Sequence, residues 1–240
     1  MFRAVFVVVA VFFSLPDSTQ ARNATREWQA SYARQGGEEL RLALVIGNSA
    51  YDDAPLRNPA NDAALLARTL NGLGFAVTQI TDADLATMKK AISAFGERLD
   101  LAGENAVGLF YYAGHGIQVG GENWLIPVAA PIRREADVDI YAVSAQGLLR
   151  QMEYARNRMN IVILDACRNN PFQRGFRSAM AGLAQMKAPK GSVIAFATSP
   201  GEVAEDGNGA NSHYSLALAE AMQQSGSEVL NVFRSVAARL

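Results

Sequence analysis

Short apolar runs separated by helical patterns fill the chain from Arg41 onward, and they leave few folds open. Leu42–Ile46 (LALVI), Phe75–Ile80 (FAVTQI), Ala106–Ala113 (AVGLFYYA), Ile161–Leu164 (IVIL) and Ser192–Thr198 (SVIAFAT) each have the length of a strand. A strand with one wet face alternates polar and apolar residues, whereas runs that stay apolar need cover on both faces. Pro59 stands where a helix begins, with Ala63, Leu66, Leu70 and Leu73 on one side. Asp82 is placed to cap a second helix that buries Leu85, Met88, Ile92, Phe95 and Leu99. A hairpin over Ile117–Ile126 and helices over Val143–Ala155 and Tyr214–Gln223 complete the pattern. The expected class is α/β, a mostly parallel central sheet with helices on both faces.

Composition agrees with one folded domain and removes several function classes. Of 240 residues 50% are apolar and 19% charged, which suits a packed core and not a disordered tail. A net charge of −1 argues against a dedicated nucleic-acid binder, which needs a basic face. A single cysteine, Cys167, excludes an intrachain disulfide. At the start, Arg3 precedes the apolar run Ala4–Phe13, and Thr19 and Ala21 stand at −3 and −1 of a cleavage point. That run is too short for a bilayer, which takes about 20 residues, so residues 1–21 read as a cleaved secretory signal. Export to the periplasm or medium follows, with no stable membrane span after removal. Residues 22–40 read as a polar linker or pro-segment, and 41–240 as the domain. Ser227–Leu240 keeps helical spacing to the last residue without a Gly or Asn cap, as in a piece of a longer protein.

Ligands of open parallel sheets bind beyond the carboxyl ends of the strands. There the third strand runs into Gly114-His115-Gly116 and the fourth into Asp165-Ala166-Cys167. An imidazole beside a thiol can take its proton, hold the thiolate and later protonate a leaving amine. The oxyanion of such an attack needs fixed donors, and the backbone N–H groups of Gly116 and Cys167 both point toward that crevice. Taken singly, a Cys after an apolar strand is an inert small hydrophobe and a lone His a core or surface residue. His213 is the second histidine, but it precedes a helix and reads as structural. One Cys and two His are too few for a metal cluster, and phosphate-loop and dinucleotide glycine spacings are absent.

The stretches Tyr111-Tyr112-Ala113-Gly114-His115-Gly116 and Asp165-Ala166-Cys167-Arg168-Asn169 resemble the two catalytic motifs of caspase-like cysteine peptidases. The closer resemblance is to bacterial metacaspase-like (orthocaspase) proteins. The histidine of caspases stands about 50 residues before the cysteine; here the positions are 115 and 167. Leu44–Tyr51, Leu56–Ala63 and Ala197–Gly209 support the same likeness. It implies a caspase–haemoglobinase fold from Arg41 onward and a His115–Cys167 dyad that cleaves peptide bonds in a protein or peptide substrate.

Caspases proper carry Gln two residues before the nucleophile, where this chain has Asp165. As in metacaspases, that implies cutting after Arg or Lys, with Asp165 and Asp62 flanking the cation; Ser199, at the end of the fifth strand, is placed to line the cleft. Otherwise Asp62 is an exposed acid of a first helical turn and Asp165 a strand-end cap. The opposite specificity, for Asp, would rest on Arg57 and Arg168. Metacaspases often hold calcium with acids after the histidine motif, but Ile117–Trp124 offers only Glu122, so no cofactor is expected. Arg174, Arg177, Lys187 and Lys190 make residues 169–190 a place for self-cleavage, or simply a solvated basic loop. Rival functions are a non-catalytic binding module on the same fold and another acyl-transfer enzyme, a thioesterase or amidotransferase. Oligomeric state is not legible.

Overall fold

The computed structural model describes residues 39–166, 182–197, 209–224 and 228–240. The leader and linker, Cys167, Arg168, Ser199 and the first part of the 169–190 connection lie outside them.

The expected strands form one five-stranded sheet. Its members are β1 (Arg41–Gly47), β2 (Ala76–Thr81), β3 (Val107–Ala113), β7 (Met159–Asp165) and β8 (Ser192–Phe196), in the order β2-β1-β3-β7-β8 and all parallel. Between β3 and β7 the chain makes a small antiparallel sheet of β4 (Gly116–Val119), β5 (Glu122–Leu125) and β6 (Val143–Ser144). The hairpin expected over Ile117–Ile126 is β4–β5. The helices are α1 (Pro59–Gly72), α2 (Leu85–Ala102), α3 (Val138–Tyr141), α4 (Ala145–Tyr154), α5 (His213–Met222) and α6 (Val229–Ala237). Among the described residues no helix is long and apolar enough to cross a membrane.

Alternation along each strand decides what lies above and below the sheet. Val107, Leu109, Tyr111 and Ala113 of β3 pack with Leu66 and Leu70 of α1, Leu218 of α5 and Val232 of α6. The intervening residues face α2. A Cβ on Gly108 would stand 2.9 Å from Leu99 Cδ1, so that glycine lets the helix close on the strand. Thus Tyr111 and Tyr112, adjacent and both fully buried, leave opposite faces.

Three local expectations are corrected. The cap of α2 is Asp84, whose carboxylate accepts from the N–H of Thr87 at 2.8 Å. Asp82 instead takes a left-handed conformation, φ 51°, and accepts from the N–H groups of Ser49 and Ala50. The helix expected from Val143 begins at Ala145, because Val143 and Ser144 pair with β5 and Ser144 is the cap. Leu73 and Leu85 are half-buried, lying just past the end of α1 and at the start of α2.

Candidate active site

His115 follows the carboxyl end of β3 and is 3% exposed. An ordinary ladder would send its N–H to the Ile126 carbonyl. Here the Tyr51 hydroxyl stands between them, accepting the His115 N–H at 2.9 Å and donating to Ile126 O at 3.0 Å. Tyr112 Oη lies 2.9 Å from both the His115 and Ile126 carbonyls and 3.2 Å from Tyr51 Oη. Burial, and the neighbouring Tyr51, push the Tyr112 phenol well above its ordinary range, so it stays a protonated donor. The Tyr51 and His115 rings are tilted against each other with centroids 4.4 Å apart.

The imidazole is oriented as well as its backbone. Nε2 stands 2.7 Å from the Ala54 carbonyl, which can only accept. In the neutral ring Nε2 therefore carries the proton and Nδ1 the lone pair. A cavity of about 220 Å³ opens beside the ring, between Ala54, Ile126 and the turn Ala129–Arg133.

Two glycines make room here, Gly114 for the tyrosine hydroxyls and Gly116 for the end of β7. A Cβ on Gly114 would meet the hydroxyls of Tyr51 and Tyr112 at 2.7 Å, and one on Gly116 would meet Cβ and O of Ala166 at 2.9 Å. Ala166 immediately precedes Cys167, which lies outside the described residues. Parallel pairing sets Ala113 against Asp165, so β3 and β7 end level with each other. The Ile126 N–H donates to His115 O, which makes Gly116–Leu125 a non-hydrogen-bonded pair. The Gly116 N–H therefore points away from β5.

Asp165 and Asp62 come together on the other side of the sheet, both fully buried. Asp62 shares a helical face with Leu66 and Leu70. Burying those leucines, worth roughly 1.5–3 kcal/mol each, carries the carboxylate inside. Its Oδ1 accepts from Asn211 Nδ2 and Ser212 N, both at 2.9 Å. Asp165 Oδ2 has three hydroxyl partners: Ser212 at 3.1 Å, Ser215 at 3.2 Å and Tyr111 at 3.3 Å. Asp165 Oδ1 has no hydrogen-bond partner among the described residues. Ser212 caps α5, so both acids lie at the positive end of that helix. Burial pushes the Tyr111 phenol well up, and the negative field of Asp165 and Asp62 pushes it further.

Of the residues singled out from sequence, His115, Gly116, Asp62 and Asp165 are therefore placed at one end of the sheet. Cys167 and Ser199 fall outside the described residues. The expectation of Asp62 as an exposed first-turn acid is overturned by its burial. Arg57 is exposed, and Arg168 lies outside the described residues. His213 is the exposed first residue of α5. Glu122 is exposed, and Asn123 is tied to the backbone of Ala184 by two bonds of 2.7 Å. Among the described residues no group of three or more His, Cys, Asp or Glu side chains converges as metal ligands do. Lys187 and Lys190 are exposed; Arg174 and Arg177 lie outside the described residues.

Sequence reasoning missed Tyr51, the Ala54 carbonyl, Tyr111, Tyr112, Ser212 and Ser215. Only Ser212 had a readable signal, a serine directly ahead of a helical pattern.

A family model described as the caspase domain, peptidase family C14, matches residues 40–240. The human protein called mucosa-associated lymphoid tissue lymphoma translocation protein 1 is 30% identical over 162 residues, 67% of this chain and 19% of that protein. Its mouse homologue is 30% identical over 171 residues, 70% and 20% of the two chains. The chain thus spans about a fifth of the length of these curated relatives. The crystal structure of protein GSU0716 from Geobacter sulfurreducens superposes with a TM-score of 0.62 at 15% identity, over 84% of this chain and 89% of the other. That likeness concerns the fold, which is the caspase–haemoglobinase arrangement. With its parallel sheet and a family match from residue 40 onward, this chain belongs to the caspase-domain family of cysteine peptidases.

Proposed function

We propose that the chain is a cysteine endopeptidase with His115 and Cys167 as its dyad, cutting peptide bonds after Arg or Lys selected by Asp62 and Asp165. The observation that supports this most is the level ending of β3 and β7, with Gly116 packed on Ala166, one residue before the thiol.

The chemistry follows from the tautomer. With Nε2–H committed to Ala54 O, Nδ1 takes the Cys167 proton and the thiolate attacks the scissile carbonyl carbon. The Gly116 N–H, with that of Cys167, holds the resulting oxyanion. Collapse breaks the C–N bond, and the imidazolium returns its proton to the leaving amine. Water then hydrolyses the thioester with the same imidazole as base. A cationic side chain between Asp62 and Asp165 relieves the repulsion of two buried carboxylates, so a neutral side chain is rejected. No step here calls for a metal, and chelation of divalent ions is expected to leave the rate unchanged. A leader at residues 1–21 makes this an exported enzyme, and exposed Lys187 and Lys190 are sites for self-cleavage.

One observation favours a second reading. Both acids are wholly buried and bonded to the start of α5, an arrangement that would also suit a module keeping the fold for recognition without cleavage. An arginyl chloromethyl ketone separates the two. In the peptidase the Cys167 thiolate displaces chloride from the reagent and forms a thioether, found by mass spectrometry, while Cys167→Ala takes no label and cleaves no peptide. A folded chain that iodoacetamide alkylates at Cys167 but the arginyl reagent does not, and that cleaves no peptide of a mixed library, would support the module.

A further inference from the structure

Ser212 touches both acids. Its backbone N–H donates to Asp62 Oδ1 at 2.9 Å and its hydroxyl stands 3.1 Å from Asp165 Oδ2. Counting protons separates this hydroxyl from the other two around Asp165. Tyr111 Oη and Ser215 Oγ are 2.7 Å apart, and each has one proton to give. Their mutual bond takes up one, so the pair delivers only one to the carboxylate. The Ser212 oxygen is already oriented, because as helix cap it accepts the N–H of Ser215 at 3.1 Å. Its proton is left for Asp165 alone.

The segment carrying Ser212 is pinned to the start of α1. Asn61 Nδ2 donates to Ala210 O at 3.0 Å and Asn211 Nδ2 to Asp62 Oδ1 at 2.9 Å. With Ser212 only 2% exposed, no bulk water can take its place. The three hydroxyls gather on Oδ2 and leave Oδ1 of the same buried carboxylate without a partner among the described residues.

We propose that Ser212 is the positioning residue of the specificity pocket, fixing the spacing of Asp62 and Asp165 and turning Asp165 Oδ1 toward the substrate cation. Two carboxylates with no cation between them repel, so their spacing has to be held by donors from the protein. The inference rests on the reading of the two acids as the Arg/Lys pocket.

The test uses the full chain and two fluorogenic peptides that differ only in Arg or Leu before the cut, with iodoacetamide alkylation of Cys167 as a pocket-independent readout. Ser212→Ala and Ser212→Gly are expected to lower kcat/KM on the Arg peptide about tenfold, the scale of one hydrogen bond to a charged group. The loss appears in KM, with kcat and the alkylation rate retained, and Ser212→Thr, which keeps the hydroxyl, restores it. Gly caps a helix nearly as well as Ser, so Ser212→Gly isolates the lost proton donor from the lost cap. Ser144→Ala removes the equivalent cap of α4, far from the acids in sequence, and leaves Arg preference intact.

Unchanged Arg preference in Ser212→Gly overturns the proposal, and so does an equal loss on both peptides or in Ser144→Ala. A Ser212→Gly chain that fails to fold overturns it too, since the residue is then structural. Asp62→Asn and Asp165→Asn distinguish the two levels. If both keep Arg preference, the pocket reading itself falls; if they lose it while Ser212→Gly keeps it, only the positioning role falls.

Discussion

Tyr111 and Tyr112 are neighbours on β3, equally buried, and they support opposite halves of the site. Tyr112 turns toward α2 and braces the His115 loop, where the histidine meets backbone carbonyls and tyrosine hydroxyls. Tyr111 turns toward α1 and α5 and meets two carboxylates held by serines and an asparagine. The first half is fixed by neutral groups of single purpose, and it controls where a proton goes. The second holds buried charge, which is stable only while several donors share it. Damage to the first should therefore strike every substrate alike, and damage to the second should be selective.

The largest effect is expected on the first half. A methyl at position 116 would stand 2.9 Å from backbone and Cβ of Ala166, where neither can yield. Gly116→Ala should push the end of β7 away from His115 and turn the oxyanion donor, cutting kcat on all peptides by roughly 10²–10³-fold. Overpacking should also lower stability by about 1–3 kcal/mol in urea unfolding. Equal damage to Arg and Leu peptides is the result that fits; a change confined to Arg would break the division.

Next in size is Asp165→Ala. Truncating one partner of a buried charge pair costs about 2–5 kcal/mol, so turnover of an Arg peptide should fall at least about 30-fold. Alkylation of Cys167 by iodoacetamide should keep its rate, because among the described residues this carboxylate is bonded by Tyr111, Ser212 and Ser215, away from His115. A matching fall on a neutral peptide would show that Asp165 serves the strand end rather than the substrate.

These halves were not equally legible. Unbroken apolar runs alternating with helical patterns announce a parallel sheet covered on both faces, and a strand end with His or Cys marks its crevice. Asp62 and Asp165 were legible as acids, but not their burial, since Asp62 follows Leu66 and Leu70 inward through a helix face whose partner lies some 150 residues away in α5. The tyrosine clasp was hidden for another reason. Tyr111 and Tyr112 read as two apolar strand residues; the Tyr112 hydroxyl finds Tyr51 and Ile126 only when their loops fold over the strand end, and the Tyr111 hydroxyl finds Asp165 and Ser215 only when β7 and α5 pack beside it. The cap of α2 is displaced by two residues, from the expected Asp82 to Asp84. Asp82 had a use that spacing cannot show, in holding the loop that carries Tyr51.

Deleting single hydroxyls sharpens the contrast. Tyr51→Phe leaves the buried N–H of His115 without its acceptor, and stability should drop by about 1–3 kcal/mol. As the backbone of His115 loses this hold, kcat should fall several-fold on both peptides. Tyr111→Phe removes one of three hydroxyls from Asp165, but Ser215 is then free to donate its proton to the carboxylate. Stability should change by less than about 1 kcal/mol, with Arg preference nearly kept. Similar losses in the two variants would mean the clasp and the clamp are equally rigid.

The smallest effect is silent at neutral pH. Burial raises both phenols above the unfolded value near 10, and for Tyr111 the two acids add to it. A phenol is neutral when protonated, so a raised folded pKa means that the unfolded chain releases its proton first. The stability these groups provide is complete below about pH 10 and is lost as pH climbs from there toward the folded values. Each such group adds a slope of about 1.4 kcal/mol per pH unit within that window. Urea midpoints between pH 9 and 11 should therefore fall less steeply for Tyr111→Phe and for Tyr112→Phe than for the parent, by one group's slope in each case. If only Tyr112→Phe flattens the curve, the Tyr111 side has admitted water at high pH, and the charged half of the site is the one that opens first.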